Sequence, residues 1–526
     1  MNNKKLKQNI LPKMRIVVFD FHSKMMIEVI RALQSRSIKI IYWTAGKRDF
    51  MNDAFENKEM FPNTIFHNAD DATSAIPARE IDVSSFEPVG RNFIKQLLEC
   101  ELRSLLMMES IDRTSVSLMK KVRMYHGYLK YWYGVLTILK PDAIIYNDAP
   151  HKSYKYIVYC VAKHLGIKQV MLRNTQIGGR MFLADDTEDY KTLQRRIKVN
   201  EDKNFTLDDL SIDVKDYYEK QKSVDESPFY ARSENIKKRT RMMSRFLPSI
   251  KTVIKNIKNL TFLKTSYLYI RMLFTKRTLP SIEPFRRPVW KIKLQEKKWK
   301  KIKDEFKNEY MKHQVKPDYS KKYIYVALQR QPERSTLTDG DVFVDQILMI
   351  DILSHVIPSD WVIYVKESQI QWTGPRSHAG RFKGYTEEIS RKDNVYVVPI
   401  ETSTFDLIKN SQTVAGVTGS PPWEAILRGK PSIAFGYTWY VYCDGVFVAH
   451  DVESAKRALE KIQAGFTPDQ QKIINFLKAF DESTICGYRD NRFKDGDDLN
   501  IKLIKDDSEN IKSITEGLYR ELTRER

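Results

Sequence analysis

Cysteine is scarce. Cys100, Cys160, Cys443 and Cys486 are the only four in 526 residues, and their spacing matches no metal-ligand pattern. Such thiols are expected to be reduced, as in a cytosolic setting, which sets aside a disulfide-stapled secreted domain. Long apolar runs are missing as well. The basic start MNNKKLKQNILPKMRIVVFDF offers only IVVF ahead of Asp20, too short for a secretory leader. No stretch reaches the roughly 18 uninterrupted apolar residues of a membrane span. Solenoid-type repeats and low-complexity tracts are absent too. These absences point to an intracellular chain that does not span a membrane.

What is plentiful is positive charge, and it is concentrated. The net charge is +21, yet residues 231–310 hold 23 Lys/Arg against 6 Asp/Glu, or +17 of that total. Basicity is therefore a regional device rather than a general surface property. At this length two domains and some additional material are expected.

Apolar runs alternate with helical patterns in two series. MRIVVFD (14–20), IKIIYW (38–43), AIIY (143–146) and KQVMLRN (168–174) read as strands of the first. KKYIYVALQ (321–329), WVIYVKE (361–367), NVYVVP (394–399), TVAGVTG (413–419) and PSIAFG (431–436) read as strands of the second. Continuous apolar strands separated by helices predict parallel sheets covered on both faces, an α/β class. Residues 201–320 break the rhythm, being polar, basic and helical with no clear strand. The expected organisation is 14–200, a basic helical insertion at 201–320, a second α/β domain at 321–465 and a helical tail at 466–526. In open α/β sheets ligands sit beyond the C-terminal strand ends, so the loops at 20–23, 147–151, 329–334, 366–369 and 418–421 carry the functional weight.

One stretch asks for explanation. In VTGSPPWEAILRGKPSIAFG (417–436), Thr418, Gly419 and Ser420 precede a helix opened by prolines, with Glu424 one turn in. Small hydroxylated residues at a helix entrance suit an anion, which free N–H groups and the positive dipole end would attract, and Glu424 can accept from a ribose diol. The same residues also suit a capped core helix with Glu424 solvated. At another strand exit, Arg330 and Arg334 offer paired donors for phosphate, with Lys366 as a further cation; a structural pair of Arg334 with Glu333 is the plainer alternative.

TGSPPWEAILRGKPSIAFG resembles the sugar-nucleotide-binding segment of GT-B glycosyltransferases. More narrowly, it is similar to capsule and surface polysaccharide biosynthesis proteins, the group that includes bacterial Kdo transferases. ALQRQPERSTLTDGDVFVDQILMIDIL (327–353), DWVIYVKES (360–368), and NDAPH with YCVAKHLGI (147–167) carry the same resemblance. It implies two Rossmann-like domains, a nucleotide-sugar donor held mainly by the second and an acceptor near the first. It puts Gln331, Glu333 and Arg334 at the cleft, Glu424 on the ribose, and Thr418 with Ser420 on phosphate. Relatives often continue Lys-Glu with His-Pro, whose histidine is thought to meet the donor phosphate. Here the chain reads Lys366-Glu367-Ser368-Gln369, so no CMP-linked donor is assigned.

On the acceptor side, Asp148 and His151 follow a strand end and are candidates for the base an acceptor hydroxyl needs, with Asp20 and His22 behind them. A turn-forming Asp before Pro150 and a helix-capping histidine are the alternatives. No Asp-x-Asp motif stands where a metal-dependent transferase would use one, so neither metal nor cofactor is expected. In the basic insertion, Phe246, Ile250, Val253, Ile254, Ile257 and Leu260 recur at three- and four-residue steps, with lysines on the other faces. Such a helix suits an anionic membrane surface or packs on a domain; nucleic acid is not expected, since no binding module accompanies the charge. The expected protein is a cytoplasmic glycosyltransferase, peripheral on the inner membrane face, that adds to a surface or capsular glycan or glycolipid. A sugar-nucleotide epimerase of related fold and an inert scaffold of capsule assembly are the alternatives.

Overall fold

A computed structural model describes residues 14–45, 58–112, 114–223, 270–279, 285–331, 333–373, 377–489 and 506–524, with positions 267 and 504 besides. The chain divides into two compact units. The described residues of the first lie within Met1–Met108, Asp112–Thr192 and Ser483–Arg526, and those of the second within Glu109–Ile111 and Leu193–Glu482.

The first unit is built on seven strands. Their spatial order is Thr484–Cys486, Arg180–Ala184, Lys168–Asn174, Ala143–Tyr146, Met14–Phe19, Ile38–Ala45 and Ile65–Asn68. The last five in this order pair in parallel, and the first two, Thr484–Cys486 and Arg180–Ala184, join antiparallel. Ile16, Val17, Val18 and Phe19 are all fully buried, because helices cover both faces of a parallel sheet and leave no wet side. One of those helices, Lys24–Gln34, starts where the Ser23 hydroxyl caps the Met26 N–H. It packs against the helix Asp507–Thr523, whose Ile514, Leu518 and Leu522 share its core with Val29, Ile30 and Leu33.

The main sheet of the second unit has six described strands, all parallel, ordered Val395–Val397, Trp361–Lys366, Lys322–Ala327, Thr413–Gly416, Ser432–Ala434 and Val446–Val448. Its core gathers Ile324, Val326, Ile363, Val365, Ala415 and Ile433 from these strands. On one flank Trp423, Trp439 and Phe476 pack ring against ring, and the Trp423 indole donates to the Tyr217 hydroxyl at 3.2 Å.

The α/β class read from the sequence is what both sheets display. Several particulars differ from the expected organisation. The segment after 482 contributes a strand and a long helix to the first unit, where a separate tail was expected. Residues 193–223 go with the second unit, and Lys276–Leu279 pairs with Phe285–Pro288 inside the stretch expected to lack strands. A helix of 24 residues, Val289–Lys312, carries much of the described basic charge. The apolar stripe of 246–260 lies outside the described residues. Among the described residues, no helix is long and apolar enough to cross a membrane.

Candidate functional site

Each sheet has one place where the chain winds away in opposite directions. In the second unit it falls between Lys322–Ala327 and Thr413–Gly416, and ligands of open α/β folds sit in the crevice beyond such a point. A cleft of about 160 Å³ opens there. Arg330 and Glu333 reach it from the first strand's exit, Lys366 to Ile370 from the neighbouring strand, and Gly419, Ser420 and Glu424 from the turn into the helix Pro421–Leu427.

Charge in this cleft is held under tension. The Lys366 ammonium donates to the Thr402 carbonyl at 2.6 Å and the Thr404 hydroxyl at 2.7 Å. Burial pushes its pKa down to about 8, against the opposing pull of Glu424 and Glu401. Glu424 is buried, and desolvation raises its pKa although Ser420, Arg428 and Lys366 favour the carboxylate. Arg330 keeps a buried Nε–H with no hydrogen-bond partner. A guanidinium donor without an acceptor, in one cleft with a buried ammonium, is chemistry suited to an incoming anion.

A buried frame fixes these loops. Arg381 and Glu367, each with a side chain only 1% exposed, form a two-point ion pair at 2.8 and 2.9 Å. Arg381 also donates to the Gln329 carbonyl at 3.1 Å and stacks over the Tyr385 ring. Gln331 and Gln371 exchange two hydrogen bonds, 2.7 and 2.8 Å long. Gly380 is required where it stands, because a Cβ there would sit 2.7 Å from the Gln331 carbonyl oxygen.

Several residues expected on the ligand lie elsewhere. Gln331 spends its amide on the Val344 carbonyl at 2.5 Å and does not line the cleft. The Thr418 hydroxyl is likewise engaged by the Gln329 amide at 2.8 Å, behind the lining. Gly419 and Ser420 do line it, the Gly419 carbonyl being fixed by the Tyr440 hydroxyl. The expectation of amide donors at the helix entrance meets a chemical limit: Pro421 and Pro422 have no N–H, and the Glu424 N–H already bonds the Ser420 carbonyl at 2.9 Å. Glu333 is exposed at the start of the helix Arg334–Asp339, and the Arg334 side chain lies outside the described residues.

In the first unit the winding reverses between Met14–Phe19 and Ala143–Tyr146, and all four acceptor-side candidates collect at these strand ends. Asp20 adopts the left-handed conformation, φ 62°. Burial disfavours its charge, but Lys152 and Lys155 outweigh burial and hold the carboxyl well below the usual range. The Lys155 ammonium sits 2.6 Å from Asp20 and is itself pushed by burial down to about 8. The exposed His22 bonds the Asp20 carbonyl through Nδ1 at 2.6 Å. Asp148 is paired with Arg489 at 2.5 Å, a partner supplied from the far end of the chain. His151 places Nδ1 3.0 Å from the Ala149 carbonyl, so Nδ1 carries the proton and Nε2 the lone pair. Burial first, then Lys155, press its pKa down to about 3, leaving it neutral.

Sequence reasoning missed Gln329, Arg381, Lys152, Lys155 and Arg489. The two lysines sit just past the flagged NDAPH turn and could have been found by the same strand-end argument. Gln329, Arg381 and Arg489 act through tertiary contacts that leave no local pattern. Among the described residues, no group of three or more His, Cys, Asp or Glu is placed to hold a metal ion.

No family model matches the chain, and no curated protein matches it. Solved structures similar to it include a UDP-GlcNAc 2-epimerase from Methanocaldococcus jannaschii, 12% identical over 85% of this chain and 91% of that one, TM-score 0.22. The Thermosulfurimonas dismutans KpsC β-Kdo 2,7 transferase is 9% identical over 76% of this chain and 90% of its own, TM-score 0.30. The β-Kdo 2,4 transferase of the same organism's KpsC is 10% identical over 64% of this chain and 79% of its own, TM-score 0.29. Likeness at this level leaves the chemistry of the site to its own residues.

Proposed function

We propose that this protein is a glycosyltransferase that takes a nucleotide-sugar donor in the cleft of the second unit. The observation that carries the reading is the convergence of the unpartnered Arg330 Nε–H, the buried Lys366 and the buried Glu424 at one sheet's winding reversal. A leaving nucleotide develops negative charge, which prepositioned cations stabilise in a site with little water. Arg330 and Lys366 supply those cations, with Gly419 and Ser420 beside the phosphates. Glu424 takes the ribose diol; Gln331 and Thr418 support the loops. In the first unit the neutral His151 accepts a hydrogen bond from the acceptor hydroxyl at Nε2 and orients it, and Asp148 holds Arg489 in place. Glu333, on the rim, is the candidate catalytic carboxylate at the reacting carbon. The transfer uses no metal or cofactor. The basic stretch 231–310 meets an anionic membrane from the cytoplasmic side, where a growing surface or capsular glycan or glycolipid is the acceptor.

The test is thermal stabilisation by UDP, CMP, GDP and dTDP. A ligand confined to the folded state adds about 2.7 kcal/mol at a hundred times its Kd. One nucleotide of the panel should raise the melting temperature, and Glu424→Ala should abolish the rise. No shift with any nucleotide, or a shift indifferent to Glu424→Ala, overturns the donor site. Turnover of the free nucleotide sugar with no acceptor present would make the protein an epimerase instead. Co-sedimentation with anionic vesicles that falls as salt is raised tests the membrane contact, and absence of binding at low salt removes it.

A further inference from the structure

We propose that the strand ends of the first unit bind a sugar bearing one anionic group, held by Asn147, Asn174 and Lys152. The proposal deepens the acceptor half of the reading above and rests on it for its role in transfer, though the binding itself is independent of any donor.

Two amides at these strand ends are half used. Asn147 donates through Nδ2 to the Asp20 carbonyl at 3.1 Å, while its Oδ1 is buried without a partner. Asn174, last residue of its strand, accepts at Oδ1 from the Arg489 Nε–H at 3.2 Å, while its Nδ2 is buried without a partner. Arg489 also donates to the Asn147 main-chain carbonyl at 2.8 Å, so one guanidinium ties both residues together. The pair thus presents one unmet acceptor and one unmet donor. A sugar hydroxyl donates and accepts through a single oxygen, and a vicinal diol satisfies both amides at once.

The charge beside them asks for an anion. Lys155 and Lys152 share a single carboxylate, their ammonium groups lying 2.6 and 3.7 Å from the same oxygen of Asp20. Lys155 is enclosed and belongs to Asp20. Lys152, with a side chain 37% exposed, is the one able to swing to a ligand. At the same strand ends Lys152 is half-buried and His22 exposed. Either a carboxylate or a phosphate ester supplies the required charge.

The experiment titrates the full chain, without nucleotide, with glucuronate, glucose 1-phosphate, glucose and inorganic phosphate, read by saturation-transfer NMR. One of the two charged sugars should bind at least tenfold tighter than glucose and than phosphate; which one it is separates carboxylate from phosphate. Lys152→Met, at a partly exposed position, should remove that advantage while leaving glucose binding unchanged. Asn147→Ala and Asn174→Ala should each weaken every sugar at least tenfold. Saturable binding by none of the sugars, equal binding of charged and neutral sugars, phosphate binding as tightly as the charged sugar, or indifference to Lys152→Met would each overturn the proposal. UDP, CMP, GDP and dTDP shifts measured on the same samples keep the two readings apart. A retained nucleotide shift with no sugar binding sinks only this site, and the reverse sinks only the donor cleft.

Discussion

Lys366 combines two properties that pull apart: its ammonium group is placed for an anion, and its burial makes that charge costly. Of its three N–H donors, two go to Thr402 and Thr404, leaving one for a ligand. With a pKa near 8 it is charged below that pH and loses its proton above it. A bound anion favours the charged form, so nucleotide affinity should hold steady below pH 7 and fall about tenfold per unit well above pH 8. Titration calorimetry across pH 6 to 10 checks this, and Lys366→Met should bind weakly with a flat profile. His151 makes a prediction of opposite sense. Its folded pKa of about 3 lies below the ordinary 6.5, so the unfolded chain binds the extra proton between those values. Stability that is whole above pH 6.5 is therefore lost as pH falls toward 3, and His151→Gln should soften that loss in melting scans. That Glu424, Arg330 and Lys366 would gather at one cleft was legible from residue type and strand-end position. Gln331 and Thr418 were not, because whether a polar side chain faces a ligand or a neighbouring loop is decided by partners such as Gln371 and Gln329, far off in the chain.

At the level of elements, the Arg381–Glu367 pair joins the loops after two adjacent strands to the segment at 380. Removing one partner strands a buried charge, which typically costs about 3–5 kcal/mol. Arg381→Ala should lower unfolding free energy by that order in a urea titration, whereas Arg391→Ala, in an exposed pair with Glu387, should cost less than about 1 kcal/mol. The central strands were legible because parallel strands buried on both faces read as unbroken apolar runs such as IVVF and AIIY. Ile65–Asn68, Val446–Val448 and Thr484–Cys486 were not. These three- or four-residue edge strands carry too few residues for a period to register, and their neighbours in the sheet define them; Val395–Val397, equally short, was read from the run NVYVVP.

For the whole molecule, the consequential feature is that the first unit draws on segments from both sides of the second. Deleting 483–526 should remove the Asp507–Thr523 helix from its core and Arg489 from Asp148. Hydrogen exchange should then show Met14–Phe19 losing protection while Lys322–Ala327 keeps it. Equal loss in both strands would mean the two units do not stand separately. The sequence pattern could not reveal this return, since a charged amphipathic helix reads the same wherever it docks.

That arrangement sets an order of events during synthesis. The 290 residues of Leu193–Glu482 must leave the ribosome before the closing strand and helix of the first unit exist. At about 5–20 residues per second that is a wait of roughly 15–60 s. Through that interval the Arg180–Ala184 strand is an open edge and the apolar face of Lys24–Gln34 is uncovered, both invitations to holding chaperones. The second unit can fold while translation continues; the first unit's strand-end cluster is completed only when Arg489 emerges, so a ribosome that stalls just past the second unit holds a chain whose first unit is unfinished.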